Sequence, residues 1–236
     1  MTIAVVIPVL NERPNLPLCI ASISRGLPGA QIVVSDGGST DGSLEWLATQ
    51  SNVAVVTGTR GKGPQLNAGV AAAADAEVLL FLHADCELPA GTQAAVAAAL
   101  DDPKVIGGAF FVLFEESNPR SLHLLAWGMN MRLRMLRRSF GDQALFVRRE
   151  VFERVQGFPD WTLFEDYEFV RRIKARGRFA VVRTPITLGA RRFIQHGVWR
   201  TVFKVLALQL AFYIGVHPRR LKHWFADIRP HLDGTS

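Results

Sequence analysis

At 236 residues, 49% apolar and 20% charged, the chain holds enough apolar material for one large domain, or a domain with a helical tail, and its composition excludes intrinsic disorder. Its formal charge of +6 suits phosphate esters or anionic lipid headgroups; nucleic acid would also suit such a charge, but no RNA- or DNA-binding motif accompanies it. Cys19 and Cys86 lack the spacing of a zinc site or redox pair and read as small buried thiols in a reducing compartment.

Residues 1–10 are apolar without a positive start, and Asn11, Glu12 and Arg13 end the run, which predicts a first strand and not a signal peptide. No uncharged run reaches the ~18 residues of a membrane span, so a cytoplasmic protein is expected. β-Branched or apolar runs at 3–8, 31–35, 53–57 and 78–82 end in turn residues and predict strands. Helical patterns at 16–25, 43–50, 65–74 and 92–100 alternate with them. This alternation predicts an α/β fold with a parallel sheet and helices on both faces. Ligands in such sheets bind beyond the carboxyl ends of the strands, so the polar residues after each strand are the candidates.

The first strand delivers Pro8, Asn11 and Glu12, and the second runs into Asp36-Gly37-Gly38-Ser39-Thr40-Asp41. A carboxylate at the position of Asp36 can accept a hydrogen bond from a base N–H or a ribose hydroxyl; Asp41, just before a helix, reads as a cap. The third strand is followed by Arg60-Gly61-Lys62-Gly63-Pro64, a basic glycine loop that opens a helix. It suits either a phosphate contact or plain solvation. After the fourth strand come His83-Ala84-Asp85, and the alternation of an extended chain points His83 and Asp85 to one side. A carboxylate there can hold a divalent ion whose other positions are filled by substrate diphosphate and water.

Beyond Pro103 the rhythm changes, with a longer strand at 105–114, a basic amphipathic helix at 121–138, and a loop with a short strand at 141–147. Glu165 and Asp166 open a helix running to 176 that has acids at its start and bases at its end, which complements the helix dipole. The surrounding aromatic residues are not explained by the dipole, and Asp166 is the candidate for a partly desolvated general base. The block 198–216 is apolar with Arg200 and Lys204 interspersed, and Arg219, Arg220, Lys222, His223, Trp224 and Phe225 follow. It reads as core packed on the sheet, or as a face for an anionic bilayer, and the two coexist if opposite faces do each.

Taken in order, Ile7-Pro8-Val9-Leu10-Asn11-Glu12, Asp36-Gly37-Gly38-Ser39-Thr40-Asp41, Lys62-Gly63 with Leu66-Asn67-Ala68-Gly69, the strand end at Asp85, a Gly-Gly-Phe-like element and Glu165-Asp166 resemble the family-2 glycosyltransferases of GT-A fold over residues 3–177. Phe81-Leu82-His83-Ala84-Asp85, Gly141-Asp142-Gln143-Ala144 and Arg191-Arg192-Phe193 with His196-Gly197-Val198-Trp199-Arg200 are similar to a small bacterial subgroup associated with radical-SAM/selenium-domain proteins and arsenosugar synthesis. The resemblance implies a catalytic domain at 1–190 with a mostly parallel sheet, and a helical extension at 191–236. It implies an inverting transfer from a nucleotide sugar, most commonly a UDP-sugar, to an acceptor hydroxyl.

By the same resemblance Pro8, Asn11, Glu12 and Asp36 would line the nucleotide pocket, with Arg60 or Lys62 near the phosphates. Asp85 would contact Mn2+ or Mg2+, and Asp166 would be the base. His83 stands where many relatives carry another Asp; an imidazole still ligates manganese, with one negative charge fewer at the site. The lack of a membrane-spanning run and the basic, apolar block from 198 onward together give the expected place as the cytoplasm or the inner face of the membrane. Two other classes compete. Sugar-nucleotide synthases share the layered sheet but open with a glycine-rich loop that Asn11-Glu12-Arg13-Pro14-Asn15 lacks. A non-catalytic nucleotide-binding protein would not need the Glu-Asp helix.

Overall fold

The computed structural model describes residues 1–221 apart from Thr59, Ala74, Thr162 and Arg219. Lys222, His223, Trp224 and Phe225, invoked above for a membrane surface, lie outside the described residues, as does Arg219.

The β-branched runs form β1 (Ile3–Val9), β2 (Gln31–Asp36), β3 (Val53–Thr57) and β4 (Val78–Phe81). These pair in parallel in the order β3-β2-β1-β4, crossed over by α1 (Leu16–Gly26), α2 (Ser43–Leu47) and α3 (Lys62–Ala72). The period of two sorts β1 between two cores. Val5, Ile7 and Val9 join Leu16, Cys19 and Ile23 of α1 on one face. Ala4 and Val6 join Leu66 and Val70 of α3 on the other. A sheet buried on both sides needs such continuous apolar strands. Helix α3 begins three residues earlier than its apolar pattern predicts, because Pro64 is tolerated in a first turn, where the missing N–H has no partner to lose.

The second half adds β5 (Cys86–Glu87), α4 (Thr92–Leu100), β6 (Val105–Leu113), α5 (Arg120–Leu136), a 3-10 turn at Gly141–Gln143, β7 (Leu145–Arg148) and α6 (Arg149–Arg154). Then come α7 (Glu165–Lys174), β8 (Arg178–Leu188), α8 (Arg191–His196) and α9 (Val198–Tyr213). The full order is β3-β2-β1-β4-β7-β6-β8-β5. β7 runs antiparallel to both β4 and β6, β8 pairs parallel with β6, and β5 runs antiparallel to β8. The sheet is therefore mixed α/β, with its parallel part concentrated where the sequence alternates strand and helix. The strand pattern had not predicted β5, β8, α6 or α8.

Two aromatic clusters fix α7. Under it, Phe169 stacks on Phe158 at 4.1 Å, and Phe81 meets Phe158 edge-on at 4.8 Å. At its start, Phe164 stacks on Phe212 of α9 at 4.6 Å, and Tyr167 meets Phe212 edge-on at 5.3 Å. The aromatic residues beside Glu165 and Asp166 thus anchor the C-terminal helix. Leu208 and Ala211 complete that inner face of α9, while Trp199, Phe203, Leu206 and Leu210, at helical spacing, stay exposed. One face packs and the other meets solvent. Among the described residues no helix is long and apolar enough to cross a membrane.

Candidate active site

A cavity of about 640 Å3 opens at the carboxyl ends of β1 and β4, lined by Pro8, Asn11, Glu12, Arg60, Lys62, His83 and Asp85. Backbone turns shape its floor. Asn11 adopts φ 56°, a left-handed conformation that its short amide tolerates. Its N–H donates to Ser39 Oγ at 2.9 Å, and its Oδ1 accepts from Thr40 N–H at 2.8 Å. Gln65 donates through Nε2 to both Val9 and Ser35 carbonyls at 2.8 Å, so α3 bolts the ends of β1 and β2 together.

Asp36 does not line this cavity. It is fully buried, and its carboxylate accepts from the N–H groups of Gly38 and Ser39, at 2.8 and 2.9 Å, and from the Ser39 hydroxyl. Its oxygens are thereby committed to the turn that Asn11 grips. Asp41 accepts from Ser43 N–H at 3.1 Å and from Arg13 N–H at 2.9 Å; the residue that caps α2 is Gly42, so Asp41 tightens the turn before the helix and is not its cap.

The carboxylates of α7 lie behind the cavity. Gly63 approaches so closely that a Cβ there would come within 2.5 Å of the Pro159 carbonyl oxygen, which brings the start of α3 against the start of α7. Lys62 Nζ consequently sits 3.3 Å from Glu165 Oε1 and 3.6 Å from Asp166 Oδ2. Asp166 Oδ2 also accepts the Gly141 N–H, and its Oδ1 accepts the Tyr167 N–H at 2.7 Å. Burial pushes the Glu165 carboxyl above its ordinary range, and Lys62 offsets this in part.

Gly141 is the feature the strand-end search missed. A Cβ built on it would lie 2.5 Å from Lys62 Nζ and 3.1 Å from both Asp166 Oδ2 and His83 Nε2, so three functional groups converge on the space a side chain would take. The Gly-Asp-Gln run was the available signal. A second cavity, of about 240 Å3, lies on the far side of these groups. It shares Lys62, His83 and Asp85 with the first and adds Glu165 and Asp166, while its outer walls come from α5, α8 and α9. The two cavities therefore meet at the end of β4.

Among the described residues no group of three His, Cys, Asp or Glu could hold a metal ion. Asp85, with His83 beside it, offers a partial donor set that fits an octahedral ion only where diphosphate oxygens and water complete the shell. Cys19 and Cys86 are free and buried; burial raises both thiols, so they stay protonated and supply no thiolate.

The family model described as Glycosyl transferase family 2 matches residues 4–156. An uncharacterized glycosyltransferase of Mycobacterium tuberculosis is 27% identical over 205 residues, covering 80% of this chain and 86% of that protein. Among solved structures, Staphylococcus aureus TarS 1-349 in complex with UDP-GlcNAc superimposes with a TM-score of 0.64 at 18% identity, covering 80% of this chain and 58% of that one. The present chain thus spans less than two thirds of that structure. The mannosyltransferase PcManGT of Pyrobaculum calidifontis, in complex with GDP-Man and Mn2+, superimposes with a TM-score of 0.62 at 23% identity, covering 98% of this chain and 69% of that one.

Proposed function

The chain belongs to glycosyl transferase family 2, and from that premise we propose that it moves a sugar from a nucleoside-diphosphate sugar to an acceptor hydroxyl with inversion, Asp166 acting as general base. The protein is a glycosyltransferase, and its mixed sheet is that of the GT-A fold. The observation that carries the finer reading is the meeting of two cavities at the Gly141 cradle, where Lys62, His83 and Asp166 converge.

In this reading the nucleotide lies in the larger cavity against Pro8, Asn11 and Glu12, and Arg60 approaches the diphosphate. Asp36 acts through the turn it holds. A UDP-sugar is the expected donor; complexes of TarS with UDP-GlcNAc and of PcManGT with GDP-Man support a nucleotide sugar of one kind or the other. Asp85, assisted by His83, would hold Mn2+ or Mg2+ against the diphosphate, and the ion would supply charge stabilisation to the departing oxygen. Asp166 takes the proton of the acceptor hydroxyl as that oxygen bonds to the anomeric carbon and the carbon–diphosphate bond breaks on the opposite face. Lys62, 3.6 Å from Asp166 Oδ2, and the Gly141 N–H hold the carboxylate in place, and the buried walls exclude water.

We further assign catalysis to residues 1–190 and a supporting role to 191–236. The stretches around His83, Gly141 and Phe193 support the radical-SAM/selenium-domain-associated subgroup, with arsenosugar-type chemistry as its substrate field. The exposed stripe Trp199, Phe203, Leu206 and Leu210, with Arg200 beside it, supports a weak association with anionic bilayers. Pelleting with vesicles should rise with anionic lipid and fall with salt; absence of pelleting on strongly anionic vesicles at low salt refutes the association.

The catalytic reading is tested by screening nucleotide sugars for hydrolysis and thermal stabilisation with manganese or magnesium. One donor should be hydrolysed slowly and should raise Tm more with metal than without. Absence of hydrolysis and stabilisation across UDP, GDP and TDP sugars would contradict it.

A further inference from the structure

The smaller cavity differs from an ordinary sugar site in what surrounds it. Apart from the polar end, where Asp85 is shared with the larger cavity and Asp166 is not, its walls include Leu125 and Met129 of α5, Phe193 of α8, and Val202, Val205 and Leu206 of α9, with Thr201 and Gln209 among them. Walls so largely apolar give the hydroxyls of a saccharide few partners, and burying them unpaired is unfavourable. At about 240 Å3 it falls below the ~300–1,000 Å3 of pockets that enclose a drug-sized molecule, so it takes one part of a larger acceptor.

The cavity also has a direction. Leu206 lines it and yet is 53% exposed, so its outer end opens on the solvent face of α9. There Phe203 and Leu210, one turn either side of Leu206, are exposed as well. Apolar side chains of α9 thus extend from the cavity wall at Val202 and Val205, through Leu206, to the outside of the helix. Arg132 also lines the cavity, with its guanidinium stacked 4.4 Å over the Phe140 ring.

We propose that this cavity is the acceptor subsite and that the acceptor is an amphiphile. Its hydroxyl-bearing head meets Asp166, and its alkyl chain lies between α5 and α9 and leaves across Leu206. The proposal rests on Asp166 as the base and adds the chemical class of the acceptor.

Direct binding tests it without requiring turnover. Octyl β-D-glucoside, kept below its micelle-forming concentration, is titrated against the full chain beside methyl β-D-glucoside. Burial of several methylenes should make the octyl compound at least about tenfold tighter. Val205→Asp should bring it back to the methyl level, whereas Phe203→Asp, on the outer stripe, should weaken it only about two- to threefold. Circular dichroism and Tm report the fold; should Val205→Asp misfold, Val205→Thr, of the same shape, carries the test with a smaller loss. Equal affinity for the two glucosides, full octyl affinity in a folded Val205 variant, or a greater loss at Phe203 than at Val205 overturns the proposal. Failure of the base assignment is a separate result, seen as wild-type turnover in Asp166→Asn while chain-length dependence persists.

Discussion

The larger cavity is bounded by strand ends and turns whose polar groups are committed to one another. Asp36 holds Gly38 and Ser39, Asn11 holds Ser39 and Thr40, and Gln65 ties Val9 to Ser35. The smaller cavity is bounded by helix side chains that touch through apolar surface, and its outer wall, α9, is fastened mainly by Phe212 against Phe164 and Tyr167. A surface whose turns are pinned by side-chain bonds to backbone is held in one shape, which suits a group common to many donors. A wall of Val, Leu and Met can be reshaped residue by residue, which suits the component that differs between enzymes. The two meet at Lys62, His83 and Asp85, with Asp166 on the side of the smaller one, and the proposed chemistry belongs at that seam.

The largest expected effect comes from Asp166→Asn, which keeps the shape and removes the proton acceptor. Turnover should fall roughly 10²–10⁴-fold, read as initial rate at saturating donor and acceptor. Near wild-type turnover would reduce Asp166 to a helix-end charge.

Gly141→Ala tests the seam itself. The backbone of Gly141 is not in the left-handed region, so the added methyl, 2.5 Å from Lys62 Nζ and 3.1 Å from Asp166 Oδ2, is the whole perturbation. Lys62 is flexible and can swing away, so the fold should survive while the carboxylate loses its alignment. A turnover loss of about ten- to a hundredfold is expected, with a lowered Tm but a folded protein, because Lys62 leaves Glu165 and Asp166 when it moves. Unchanged turnover would mean that the cradle does not set the geometry.

The smallest effect concerns Glu165. Its carboxyl is raised above 4.5, chiefly by burial, so the folded protein holds that proton more tightly than the unfolded chain. Its contribution is therefore favourable at low pH and is lost as pH climbs from 4.5 toward the raised value. Glu165→Gln stays neutral and should flatten the fall of stability over that interval, measured by denaturant unfolding at a series of pH values. An identical slope in both proteins would contradict the shift.

The first hundred residues were legible because short β-branched runs end cleanly in glycine and acidic turns, and the strand ends at Asn11, Asp36 and Asp85 follow directly from that rhythm. β8 was not. Its Arg178, Arg183 and Pro185 interrupt the apolar pattern, and Pro185 is accommodated only because the register with β6 shifts between Phe110 and Phe111. The pairing of Lys62 with Glu165 and Asp166 could not be read either. It depends on Gly63 letting α3 meet the Pro159 carbonyl, a contact between segments about a hundred residues apart in sequence. Asp36 was visible as a strand-end carboxylate, but its burial under the turn needed the Ser39 geometry. The apolar stripe of α9 was plain, whereas its division between an inner wall and an outer face came from Phe164 and Tyr167.

The separation of donor and acceptor roles at the seam is tested most directly by titration calorimetry of the donor's nucleoside diphosphate against Asp85→Ala and Asp166→Asn, each with and without manganese. Asp85→Ala should weaken binding chiefly when manganese is present, and Asp166→Asn should leave the affinity unchanged in both conditions. An equal loss for Asp85→Ala with and without the ion, or a loss in Asp166→Asn as large as that in Asp85→Ala, would contradict two cavities with distinct tasks.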